Sequence, residues 1–222
     1  MISTGNDIVS LNAIDVARTK QHRFYSKIIS ASEKLLYDSP EFGIIPFENF
    51  VWLLWSIKES AYKFLQRTRY DLVFNPIKFE IDQLNIPAGF KTVGFNAEGI
   101  NGCGFVNGPV LKGTISTGAN QFYSRSLIYK EAIMTVLGCC ENFNNTYWGI
   151  KKIATSDYDI QSAAVRTLLI EQLQKVLPFN ELTISKSEWG IPVLLSSEND
   201  TRIPVSLSHH DHFIAYSFQL PD

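Results

Sequence analysis

The spacing of apolar positions changes along the chain, and each change marks a different kind of element. After Pro46 the segment Phe47 to Leu65 is apolar around most of its circumference, which predicts a helix packed on several sides rather than one lying on a surface. Lys58, Glu59 and Lys63 interrupt it. The whole first stretch, Gly5 to Gln66, reads as mostly helical. From Tyr70 to about Glu141 the residues become β-branched and aromatic, punctuated by Asn75-Pro76, Pro87-Ala88-Gly89, Asn101-Gly102 and Asn107-Gly108-Pro109, the pattern of successive antiparallel strands. The polar segment Glu141 to Thr146 is the expected boundary. A short strand, Tyr147 to Ile153, then precedes a helix capped by Ser156, with Asp159 three residues on, that runs to about Val176. Strands follow at Leu182 to Ser185, Ile191 to Leu195, Val205 to Leu207 and Phe213 to Phe218. The expected class is α+β with a largely antiparallel sheet.

Composition narrows the function more than the fold. A length of 222 residues, at roughly 150 per domain, does not decide between one domain and two. The net charge of −2 lacks the basic excess of a nucleic-acid-binding domain. Three cysteines, two of them the adjacent Cys139 and Cys140, do not make a disulfide framework and fit a reducing cytoplasm. No apolar run approaches the roughly 20 residues of a membrane span, and Met1 to Lys20 lacks the pattern of a leader.

Glu59 and Lys63, four residues apart, project from one helix face about a turn from each other. A surface ion pair has the same spacing, but Trp52, Trp55, Ile57, Ala61, Phe64 and Leu65 leave little solvated face, and a carboxylate there needs a partner or a cation. Asp7, in Gly5-Asn6-Asp7-Ile8-Val9, is by itself a turn or cap aspartate. Together with Glu59 it would offer Mg²⁺ two oxygens and leave the other positions to water and substrate phosphates. Ser206-Leu207-Ser208-His209-His210-Asp211-His212 invites zinc, but on a strand-turn-strand the three histidines diverge. Histidine, serine hydroxyl and turn amides suit an anion, and equally suit an ordinary turn. Gly99, Gly102 and Gly104 precede no helical pattern, so hairpin turns are expected there rather than a dinucleotide loop.

Taken together, these blocks resemble the 4′-phosphopantetheinyl transferase superfamily. Trp55-Ser56-Ile57-Lys58-Glu59-Ser60-Ala61-Tyr62-Lys63 matches its W-x-x-K-E-[AS]-x-x-K signature, and Gly5-Asn6-Asp7-Ile8-Val9 its G-x-D-I-[VE] element. Arg23 to Glu33 resembles the R-F-x-x-R-[IV]-[FL]-T-x-x-E stretch of the holo-acyl-carrier-protein synthase branch. The second half is similar to the two-domain surfactin type instead: Arg166-Thr167-Leu168-Leu169 to its R-x-L-L helix, Trp189-Gly190-Ile191-Pro192 to its G-K-P turn, and Ser206-Leu207-Ser208-His209 to its S-H-S block. In that branch these blocks form the first half of the chain. The order here resembles a circular permutation, with only Gln219 to Asp222 and Met1 to Thr4 separating the two elements if the ends are joined.

The resemblance implies a fold of two pseudo-symmetric halves with antiparallel sheets and a long packed helix. Residues 1–141 would be the metal-binding half and 142–222 the coenzyme-phosphate half, in one monomeric pseudo-dimer with coenzyme A in the cleft. The implied reaction is Mg²⁺-dependent transfer of 4′-phosphopantetheine from coenzyme A to a serine of an apo acyl or peptidyl carrier protein, releasing 3′,5′-ADP. In it Asp7 and Glu59 would hold the metal, Glu59 and Lys63 would be catalytic, and Lys58, Arg166, Ser208 and His209 would bind the coenzyme. Arg23 and Lys27, with Lys20 nearby, could face an acidic carrier, or form a solvated helix face. Two positions depart from the pattern: Val9 stands where the surfactin type has a third acidic ligand, and Ile191 replaces the lysine of the G-K-P turn. The alternative is a family member that grips coenzyme A or a carrier without turnover.

Overall fold

A computed structural model describes residues 3–221 other than 97, 106–108, 119, 180 and 198. The turn expected at Asn107-Gly108 and part of the join expected between the chain ends therefore lie outside the described residues.

The chain opens not with a helix but with a strand, β1 (Gly5–Ser10), buried along its whole length. Three short helices follow, α1 (Val16–Thr19), α2 (His22–Tyr25) and α3 (Ala31–Tyr37), then the long α4 (Phe47–Gln66). Five strands come next: β2 (Glu80–Asn85), β3 (Ile100–Cys103), β4 (Leu111–Thr117), β5 (Asn120–Ile128) and β6 (Ala132–Gly138). After β7 (Thr146–Lys152) comes α5 (Tyr158–Val176). The chain ends with β8 (Leu182–Lys186), β9 (Pro192–Ser196), β10 (Asn199–Asp200), β11 (Val205–His210) and β12 (Phe213–Gln219). The cap of α5 is Asp157 and not Ser156, because the Asp157 carboxylate accepts from the amides of both Asp159 and Ile160.

Every named strand pairing is antiparallel. The first sheet has the order β1-β6-β5-β4-β2, the second β11-β12-β7-β3, and a small third β10-β9-β8. β3 is no hairpin partner of its chain neighbours. Positive-φ glycines at Gly99 and Gly104 flank it, and it pairs with β7, so the sheet of the later half takes a strand from before residue 141.

Strand periodicity sorts the apolar side chains into three cores. Val9, Ile133 and Leu137 turn toward α4, where Phe50, Leu53, Leu54, Ile57 and Ala61 are fully buried. Ile8, Met134, Val136, Ile150 and Ala215 meet between the two larger sheets. Ile214, Tyr216 and Phe218 turn the other way, onto Val165, Leu169 and Leu173 of α5. The resulting layers are helix, sheet, sheet, helix. Each fully buried side chain of this size contributes about 1.5–3 kcal/mol relative to exposure, which fixes β1 between α4 and β11.

Candidate active site

β1 delivers alternate side chains to opposite faces, so Asp7 points with Val9 toward α4 while Asn6, Ile8 and Ser10 point between the sheets. Gly5 allows this approach: a Cβ there would collide with the Ser60 carbonyl and lie 2.8 Å from the Phe64 amide. The Ser56 hydroxyl also donates to the Asp7 carbonyl at 3.4 Å.

Asp7, Glu59 and Lys63 form one cluster. The Lys63 ammonium donates to Asp7 Oδ1 at 3.0 Å and lies 3.3 Å from Glu59 Oε1, so two carboxylates from two elements share one cation. The Asp7 side chain is 6% exposed, and among the described residues its buried Oδ2 has no partner. Burial pushes the Asp7 carboxyl up to about 7, Glu59 acts in the same direction, and Lys63 opposes both. Burial alone would lower the Lys63 ammonium, but the Asp7 and Glu59 carboxylates outweigh it and raise its pKa. The orphaned oxygen and the adjoining Glu59 carboxylate have the hard-oxygen chemistry that suits Mg²⁺, so these residues fit the metal that the resemblance implies.

β11 supplies the opposing wall. The Asn6 amide donates to Ser206 Oγ at 2.9 Å, and its side-chain nitrogen to Ser208 Oγ at 2.7 Å. The Ser10 amide donates to His210 Nδ1 at 3.0 Å, and its hydroxyl to Asp211 Oδ2 at 2.9 Å. These bonds stitch β1 to Ser206, Ser208 and His210, leaving His209 on the other face, where its ring meets Tyr158 edge-on at 5.0 Å. Burial lowers the His209 pKa, and the charges of Lys63, Lys186, Arg166 and His210 lower it further. Arg166 is held by its Nη1, which donates to the Ser162 carbonyl and hydroxyl at 3.1 and 2.8 Å. Cations from α4, α5 and β8 thus bear on one imidazole, a field that favours an anion.

Two expected coenzyme ligands are placed elsewhere. Lys58 is fully buried on the far side of α4 from Asp7, donating to Glu33 Oε2 and to the Ile28 carbonyl, each at 2.7 Å. Its ammonium is spent on holding α3 to α4. Ser208 is 4% exposed and its hydroxyl receives Asn6. Lys186, by contrast, escaped the sequence reading. It stands opposite Pro192 in the β8–β9 register, beside Ile191, and the only sequence signal was its position three residues ahead of the Trp189-Gly190-Ile191-Pro192 turn. Among the described residues no group of three or more His, Cys, Asp or Glu is arranged to hold a metal, and no helix is long and apolar enough to cross a membrane.

The model of the 4′-phosphopantetheinyl transferase superfamily matches residues 3–105. That stretch, a little under half of the chain, is similar to the superfamily. It contains Asp7, Glu59 and Lys63, and the mixed helix-and-antiparallel-sheet architecture is consistent with the phosphopantetheinyl transferase fold. Similarity to that family implies a transferase and phosphopantetheinyl transfer in general, with a carrier protein and coenzyme A as the general partners. No curated protein and no solved structure matches the chain.

Proposed function

We propose that this protein is a Mg²⁺-dependent phosphopantetheinyl transferase of the holo-acyl-carrier-protein synthase type, moving the arm of coenzyme A onto a carrier serine and releasing 3′,5′-ADP. The observation that carries the reading is the Asp7–Lys63–Glu59 cluster with its unpartnered buried carboxylate oxygen. Asp7 and Glu59 would hold the metal. When bound there, Mg²⁺ supplies charge neutralisation for a pyrophosphate and its alignment for attack.

The chain's own residues account for the rest. Lys63, its side chain 24% exposed, could turn its ammonium from the carboxylates to the phosphate oxygens where charge develops. Glu59, partly exposed, can accept the proton of the attacking serine. His209 and Arg166, with Lys186 as an added cation, would hold the coenzyme's phosphates. Lys186 stands in for the charge that Ile191 lacks, a point in favour of turnover over binding alone. Ser208 acts indirectly, by fixing Asn6 and so the strand that carries Asp7. Arg18, Arg23 and Lys27 line one surface hollow, a basic face for an acidic carrier protein.

Incubation with coenzyme A, Mg²⁺ and apo carrier proteins, with the carrier weighed by mass spectrometry, tests the proposal. A gain equal to one phosphopantetheine group is expected. No gain across fatty-acid, polyketide and peptide carriers, with coenzyme A still bound, would establish the binding-only alternative.

A further inference from the structure

The face of α4 that bears the carboxylate cluster ends in a cation that the proposed transfer does not use. Glu59, Lys63 and Arg67 follow one another at four-residue steps, so they line one side of the helix, each step a rise of about 6 Å. β11 runs the opposite way along that side. Glu59 acts on His210, Lys63 acts on His209, and the Arg67 guanidinium donates to the carbonyl of Val205, where the strand begins. One wall therefore continues from the carboxylates to Arg67.

Arg67 lines a cavity of about 220 Å³ together with Pro192, Asp200 and Arg202. It is half-buried, and among the described residues it belongs to no ion pair. Burial pushes its guanidinium down to about 10, and the opposing pull of Asp200 does not make up the difference. A cation desolvated to this degree without a counter-ion is costly, and an anion entering the cavity would remove that cost. Asp200 is itself engaged, since its Oδ1 accepts from the Arg202 amide at 2.7 Å. Arg202 has left-handed backbone, φ 58°, a conformation that a residue with a side chain keeps only where its surroundings hold it. The lining thus sets two guanidiniums against one carboxylate, which suits an anion with several acceptor oxygens.

The cavity adjoins the region assigned to the coenzyme. Its Pro192 pairs with Lys186, whose charge reaches His209. Tyr70, just after α4, stacks on Trp189 with the rings 9° from parallel, and so pins the Trp189-Gly190-Ile191-Pro192 turn to the end of that helix. We propose that Arg67 and Arg202 bind the 3′-phosphate of coenzyme A and make the protein select it over the 3′-dephospho form. The inference rests on the transferase reading, in which Lys63 faces the pyrophosphate. The 3′-phosphate hangs from the same nucleoside, and Arg67 is the next cation along the same wall.

Calorimetric titration of the full chain with coenzyme A and with 3′-dephospho-coenzyme A, both with Mg²⁺ at fixed ionic strength, tests this. The parent protein should bind coenzyme A at least about tenfold more tightly, the scale of one charge-assisted hydrogen bond. Arg67→Gln, whose amide can still donate to the Val205 carbonyl, should bring the two affinities together. Exposed Arg202→Gln should narrow the ratio at least about threefold, and it decides alone if circular dichroism shows the Arg67 variant unfolded. Equal affinities in the parent, or a ratio kept in the folded variants, would overturn the inference and leave the transferase reading standing. A ratio lost only in Arg166→Gln would give the 3′-phosphate to α5 and overturn it equally. Binding of neither compound would overturn the transferase reading and this inference with it.

Discussion

At Asp7 the elements bring together a carboxyl raised to about 7 by burial and an ammonium raised by two carboxylates, a pair that holds its charges only by sharing them. Glu59→Gln keeps the shape of one partner and removes its charge. It should abolish carrier modification, leave thermal stability without Mg²⁺ nearly unchanged because the side chain is partly exposed, and erase the rise in melting temperature expected of the parent protein on adding Mg²⁺. Wild-type turnover in this variant would remove Glu59 from the mechanism. The pair Lys58–Glu33 is the opposite case, with both side chains fully buried. Glu33 also accepts from the Ser30 amide at 2.8 Å and the Ile81 amide at 2.9 Å, so it joins α3, α4 and β2 at one point. Glu33→Ala should lower unfolding free energy by about 3–5 kcal/mol, and adding Lys58→Met should recover part of that loss, because the cost is that of a stranded buried charge. Chemical denaturation of the single and double variants measures both.

At the scale of elements, β1 is the part on which the site depends, since it is packed between α4 and β11. Gly5→Ala should shift β1 away from α4 and destabilise the protein toward the upper end of the about 1–3 kcal/mol typical of overpacking, because the Ser60 carbonyl that a Cβ would strike is helix backbone and cannot yield. Denaturant melts report the loss, and a fall in activity larger than the fall in folded fraction would show that Asp7 has moved. The β1–β11 joint also responds to pH. Burial lowers the His210 pKa, with Asp211 and Glu59 opposing, and it lowers that of His209. Both rings therefore resist protonation in the fold, while the unfolded chain takes up protons near 6.5. The stability they contribute is fully present above that pH and is lost as pH falls through their depressed folded values. His210→Asn, whose side-chain oxygen can replace Nδ1 as acceptor for Ser10, should flatten the acid limb of a melting-temperature profile.

Across the whole molecule the earlier and later parts of the chain are joined at several places. β3 leaves the first half to pair with β7, the Thr4 and Ser217 hydroxyls meet at 2.8 Å, and Arg67 at the end of α4 donates to the Val205 carbonyl. Heat should therefore unfold the chain in one transition, and two resolved calorimetric peaks would contradict this coupling. The meeting of Thr4 with Ser217 also seats the residue before β1 beside β12. Much of this plan was legible locally. Phe47 to Leu65 declares its helix by apolar residues on nearly every side, the later strands by their run of β-branched and aromatic residues, and Glu59 and Lys63 their common face by spacing alone. Gly5 to Ser10 did not declare itself as a strand, because six residues without clean alternation carry no period until both faces have neighbours. The roles of Lys58 and Ser208 were hidden for a related reason. Sequence sets which way a side chain leaves its own element, but whether it meets solvent or a partner depends on what packs there, and Glu33 and Asn6 arrive from other elements. The sequence by itself determined the helix bearing Glu59 and Lys63 and the chemistry they can offer. Only the tertiary structure decided that Asp7 joins them, that Lys58 does not, and that Lys186 comes to bear on His209, because charges act through distances that no single element contains.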